Sequence, residues 1–165
     1  MLQGMEMMGK SNPDLIRAMH GLAGGLGFSG ELCGALTGGA SLLGLYAGKG
    51  TPEQPEDPRL DFMVMDLVKW FKAEYSEQFG GIRCEEILAG NSQNQAIRCP
   101  ILVNGVLQKV KELLVENGYD LSGLEGEEWV SKCLPLRVPW DFMNTSFLSP
   151  KAFVPNALRE SPPRG

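Results

Sequence analysis

A single histidine, His20, stands in a chain of 165 residues. Catalytic triads and many metal sites draw on histidine, so its scarcity argues against most hydrolase mechanisms. Its neighbours Ala18, Met19 and Gly21 predict a residue at the edge of a core rather than a ligand. No Cys-x-x-Cys occurs among the four cysteines, which excludes the usual thioredoxin-type pair and the zinc ribbon. Lys and Arg form no run, and the formal net charge is −5. A clustered basic surface is what displaces counterions from nucleic acid or holds anionic lipid, so neither partner is expected. Met1 to Met8 has no positive stretch and no long apolar one. No secretory leader is read there, and a cytoplasmic location is expected. Cysteines in that compartment stay reduced, which favours metal binding, thiol redox work or plain burial over structural disulfides. Gly24-Gly25-Leu26-Gly27 follows a helical pattern, and no Gly-Lys-Ser/Thr accompanies it, so it is not a phosphate loop.

What is present is enough apolar sequence, 43%, for one buried core. Helix signals dominate it. Asn12-Pro13-Asp14 is a helix start, followed by Leu15, Ile16, Met19, Leu22 and Ala23 at helical spacing and a stop at Gly24-Gly25 or Gly27. Ser29 is placed to cap a second helix from about Gly30 to Tyr46. Leu32 to Gly48 carries no charge, but it is short for a span, rich in Gly, and bracketed by Glu31 and Lys49. It is read as a buried helix, with no membrane span.

That helix carries small residues four apart: Gly30, Gly34 and Gly38; Ala35 and Gly39; Ala40, Gly44 and Gly48. Each Gly costs roughly 1 kcal/mol against Ala in a helix interior. So many imply close approach by a neighbouring helix, a cofactor or a partner, with Gly34 and Gly38 the candidate cofactor-contacting positions. After a Pro- and acid-rich loop, a third helix is predicted from about Pro58 to Phe79. Its stripe is Leu60, Met63, Val64, Leu67, Val68, Phe71 and Tyr75. A short helical turn over Ile82 to Leu88 and a polar loop, Gly90 to Gln95, come next. A further helix is expected to start at Cys99-Pro100, with Ile101, Leu102, Val106, Val110, Leu113 and Leu114 inward and a stop at Asn117-Gly118. Beyond it, Glu127 to Cys133 suggests a turn or two of helix, prolines recur from 135 onward, and Ser161 to Gly165 reads as a disordered end. The fold expected is therefore all-α: a small single-domain helical bundle over residues 1–133 and a Pro-rich extended C-terminal arm over 134–165. The arm would pack on the domain or on a second subunit, which leaves a homodimer open.

Three cysteines share one predicted setting. Cys99 precedes Pro100, Cys84 follows a Gly-Gly break, and Cys33 opens the Gly-rich helix. Free N–H groups and the positive end of the helix dipole favour a thiolate there, and a lowered pKa makes a nucleophile or a metal ligand. Arg83 and Arg98 each precede a cysteine and add charge if they turn toward it. Cys133, at the edge of the tail, reads as buried or incidental.

Cys33-Gly34-Ala35-Leu36-Thr37-Gly38, followed at long range by Gly80-Gly81-Ile82-Arg83-Cys84 and Arg98-Cys99-Pro100, resembles the redox-active family named for its C_GCAxxG_C_C cysteine pattern. The resemblance covers about Asn12 to Asp120. It implies a small helical bundle in which Cys33, Cys84 and Cys99 match the second, third and fourth motif cysteines. Members are often encoded near transport genes in anaerobic bacteria. A related region of split-Soret cytochromes is associated with a non-haem iron or iron–sulfur site. The position of the first motif cysteine falls at or before Met1, and no cysteine precedes Cys33. The expectation is a redox protein in which Cys33, Cys84 and Cys99 either ligate an iron–sulfur or other metal centre or exchange as thiols and disulfide with an unidentified redox partner protein. The alternatives are a non-catalytic binding or scaffold module with buried cysteines, and a zinc-stabilised domain completed by Cys133 or His20.

Overall fold

The computed structural model of the chain describes residues 1–121. The expected turn over Glu127 to Cys133, Cys133 itself and the arm over 134–165 lie outside the described residues. Among the described residues the fold is all-α, with no named strand and one isolated antiparallel bridge, Leu32 with Arg83. The elements are α1 (Leu2–Met7), α2 (Pro13–Met19), a 3-10 turn (His20–Leu22), α3 (Ala23–Leu26), α4 (Gly34–Ala47), α5 (Arg59–Phe79), α6 (Cys84–Leu88) and α7 (Asn94–Glu116).

α4, α5 and α7 pack on one another and make the core. α4 contributes Leu36, Leu42 and Leu43, α5 contributes Met63, Leu67, Phe71 and Tyr75, and α7 contributes Leu102, Val106, Val110, Leu113 and Leu114. The spacing puts the α5 and α7 sets each on one face of its helix, whereas α4 is buried on more than one side, with Leu42 against Gly4 of α1; burial of these faces is what makes helices of this length stable. Gly39 lies where the three meet. A Cβ there would stand 2.4 Å from Val106 Cγ1 and 3.1 Å from Leu67 Cδ2, so only a glycine admits the approach. Gly38, expected at a tight helix contact, would carry its Cβ into open space, because it is turned out of the three-helix seam.

Caps explain several boundaries. Asn12 Oδ1 accepts the Leu15 N–H at 3.0 Å and starts α2 as expected. Gly80 closes α5 at φ 82°. Three features of the boundaries differ from expectation. α4 begins at Gly34 rather than Gly30, and its N-cap is Cys33, not Ser29. The Ser29 hydroxyl donates instead to the carbonyls of Gly25 and Leu26, at 2.6 and 2.8 Å. The preceding segment is the cause. Residues 24–28 all have positive φ, from 61° to 74°, so the chain makes a left-handed turn and cannot enter a right-handed helix until it has straightened.

α7 is the third departure. It starts at Asn94, and Pro100 lies inside it. The turn that nucleates it comes earlier: Asn91 Oδ1 accepts the Gln93 N–H at 3.0 Å, and the Asn94 side chain donates to the Leu88 carbonyl at 2.9 Å. Proline at that point removes one helix hydrogen bond and crowds the carbonyl four residues before it, a cost of about 3 kcal/mol that the buried face beyond it offsets. Cys99 is consequently a helix-interior residue and not a cap. Ile101, expected inward, is 51% exposed, one turn from the equally outward Ile97. At the other end of the bundle Asp57 bonds Arg59 and accepts the Tyr119 hydroxyl at 2.6 Å, tying the residues after α7 to the start of α5.

Candidate redox site

The bridge between Leu32 and Arg83 brings the first two cysteines together. The Cys33 N–H donates to the Ile82 carbonyl at 3.1 Å, and the Cys84 N–H to the Glu31 carbonyl at 2.7 Å. Glu85 N–H continues the pairing with the Gly30 carbonyl at 3.0 Å. In such a ladder the residues following the two bridge partners lie on one face as diagonal neighbours, separated by roughly 7–8 Å at Cα. Gly25 makes room for this. A Cβ on it would stand 2.5 Å from the Glu31 carbonyl oxygen and 2.8 Å from Cys84 Cβ, and its φ of 74° suits glycine. Gly25 is a residue that reading the sequence missed. The Gly24-Gly25 pair was visible there as a helix stop, but not as the floor beneath a cysteine.

α6 fixes Cys84 as its first residue, because Glu86 Oε2 accepts the Arg83 N–H at 2.8 Å. That glutamate, three positions after the cap, was a readable signal. Cys33 and Cys84 are each 5% exposed, and Cys99, on α7, is half-buried. The three are free thiols and line one cavity of about 680 Å³, together with Gly34, Gly38 and His20. His20 itself is exposed, not set into the core edge.

The electrostatics reverse the expectation of activated thiolates. Burial is the largest influence on all three cysteines and pushes each thiol pKa up. At Cys33 the N–H groups of Ala35 and Leu36 pull the other way, as a helix start should, but desolvation wins. The sulfurs also disfavour one another's ionisation: Cys33 acts on Cys84, and both act on Cys99, with Cys84 the stronger of the two. The arginines do not offset this. Arg83 pairs with Glu31 at 2.8 Å and Glu85 at 2.9 Å. Arg98 donates to the Ile87 carbonyl and lies over the Phe79 ring, 5.3 Å from its centre. Both guanidinium groups are thus held by other partners.

Residues 1–113 match the sequence profile of a family described as "Putative redox-active protein (C_GCAxxG_C_C)". The chain belongs to this family. The C_GCAxxG_C_C match takes in α1 through most of α7 and includes all three cysteines of the cavity. No curated protein matches the chain, and no solved structure does. Among the described residues no helix of this C_GCAxxG_C_C protein is long and apolar enough to cross a membrane.

Proposed function

We propose that the chain is a two-electron thiol redox protein whose working couple is Cys84 and Cys99, with Cys33 as a third thiol beside them. The observation that supports this reading is three free thiols, carried by separate elements, around one cavity. Cys84 is the stronger electrostatic neighbour of Cys99, and Cys99 is the more accessible sulfur. In the oxidising direction the Cys84 Sγ–Cys99 Sγ bond forms, two thiol protons are released, and two electrons pass to a small acceptor in the cavity. The reverse step returns two protons and two electrons.

A metal centre is the second reading. Three thiols are donors suited to iron–sulfur clusters or zinc, but a closed tetrahedral site takes four. Among the described residues no group of three or more His, Cys, Asp or Glu side chains is placed to hold a metal ion. The donors fit in kind and not in arrangement.

The test is oxidation of the reduced chain with diamide, alkylation of the remaining thiols, and mapping of linked peptides. One disulfide, Cys84 to Cys99, reversed by dithiothreitol, is expected. It persists in Cys33→Ser and is lost in Cys84→Ser. Thiols that all remain alkylatable after oxidation would overturn the couple. So would one equivalent of zinc or iron bound on anaerobic reconstitution and lost in each cysteine variant, an outcome that installs the metal centre instead.

A further inference from the structure

Resting on that thiol couple, we infer that the electron acceptor is a small, uncharged quinone that enters the cavity. Charge narrows the choice first. Among the described residues no Lys or Arg lines the cavity; its wall holds His20 and one acidic residue, Glu85, which is paired with Arg83 at 2.9 Å. A nucleotide or a phosphate ester, with several negative charges, finds no guanidinium or lysine ammonium among those lining residues. Lining chemistry narrows it further. Met19, Leu22, Phe28, Leu88, Leu102 and Val103 make most of the wall apolar, while Ser92 and Gln95 place a few hydrogen-bonding groups in it. Apolar walls with a small number of polar groups are the usual make-up of a site for an organic ligand, and a cavity of about 680 Å³ lies within the range such sites span.

Access and chemistry agree with this. Cys99, the attacking sulfur, is half-buried in the cavity wall, so an acceptor that enters the cavity meets it there. A quinone also matches a dithiol electron for electron. The Cys99 sulfur bonds to a ring carbon. The Cys84 sulfur then attacks Cys99 Sγ, the S–S bond forms, and the S–C bond breaks with its electron pair remaining on the ring. The two thiol protons end on the two ring oxygens, giving one disulfide and one hydroquinone.

The experiment uses duroquinone, whose ring is fully methylated and offers no hydrogen for a thiol to displace. Reduced protein mixed with it should yield one hydroquinone per chain and lose two alkylatable thiols, at a rate that saturates with quinone concentration. Gly38→Leu supplies the positional control. Gly38 lines the cavity, a Cβ there points into open space with no neighbouring atom within 4 Å, and leucine favours a helix over glycine, so the variant is expected to keep the fold while filling the space. Its rate with duroquinone should fall at least tenfold while diamide still closes the disulfide. A wild-type chain that diamide oxidises and duroquinone does not would overturn the quinone and leave the couple standing. If neither reagent forms the bond, the couple itself fails. An unchanged duroquinone rate in Gly38→Leu would show reaction outside the cavity and overturn the site.

Discussion

Burial acts on the three thiols in one direction, and the consequence is measurable as a function of pH. A thiol whose pKa is raised on folding holds its proton more tightly in the folded chain than in the unfolded one. Above the ordinary thiol pKa, about 8.5, the unfolded state therefore binds fewer protons, and stability must fall as pH rises. Below that value the three cysteines contribute no pH dependence. Tyr75, pushed up to about 12 chiefly by burial, adds the same trend at higher pH, so the cysteine effect is best isolated between about pH 8 and 9.5. Urea midpoints across that interval should decline for the native chain and stay nearly flat for the variant with all three cysteines changed to serine. A native midpoint that rises would mean that the thiols ionise more readily in the folded chain, and the burial argument would be wrong. Site-resolved alkylation by iodoacetamide checks the same point: half-maximal reactivity of Cys33 should lie above the ordinary thiol value.

At the scale of elements, the Gly-rich α4 separates two kinds of glycine. Gly39 is required by the seam of three helices, and Gly39→Leu should unfold the domain, since even a Cβ stands 2.4 Å from Val106. The smaller change Gly39→Ala should cost about 1–3 kcal/mol, the usual penalty for overpacking. Gly38→Ala should instead stabilise by up to roughly 1 kcal/mol, as helix propensity alone would have it. Thermal melts of the two alanine variants decide this; equal shifts would mean that the seam does not run along Gly39. The sequence showed that small residues line this helix and could not say which face is closed, because that depends on where α5 and α7 cross it. Elements announced by local chemistry were legible: Asn12-Pro13 before α2, Gly80 after α5, and the apolar stripe from Met63 to Tyr75. The start of α7 was not, since Asn91 and Asn94 nucleate it ahead of a proline that reads as a first-turn residue. Nor was the left-handed turn, because Leu26 and Phe28 adopt positive φ at a cost of roughly 1–2 kcal/mol each, against their own preference. That turn is what delays α4 and leaves Cys33 as its cap.

At the scale of the whole molecule, the three cysteines come from the start of α4, the start of α6 and the interior of α7, and only the folded chain gathers them at one cavity. Spacing along the sequence carries no such information. The candidate site was legible through its resemblance to a cysteine-motif family, whereas the helix-start placement that singled out the same residues is met by Cys33 and Cys84 and not by Cys99, and burial raises all three thiols instead of activating them. Because the gathering is a property of the fold, oxidation must feed back on stability. A bond between Cys84 and Cys99 closes a loop of about 15 residues, which removes chain entropy from the unfolded state and stabilises by about 3 kcal/mol where the native geometry accepts it. For a domain of this size that corresponds to a rise in melting temperature of roughly 10 °C. The loop joins α6 to α7, and the α6 end is held by the Leu32–Arg83 bridge and by the Glu86 cap, so the bond links segments already fixed against each other. Calorimetry on the diamide-oxidised and dithiothreitol-reduced chains should show that rise, and Cys99→Ser should abolish the difference. An oxidised chain that melts below the reduced one would mean that closing the bond distorts α6 or α7 by more than the entropy returns, and Cys84 and Cys99 would not be a reversible couple in this fold.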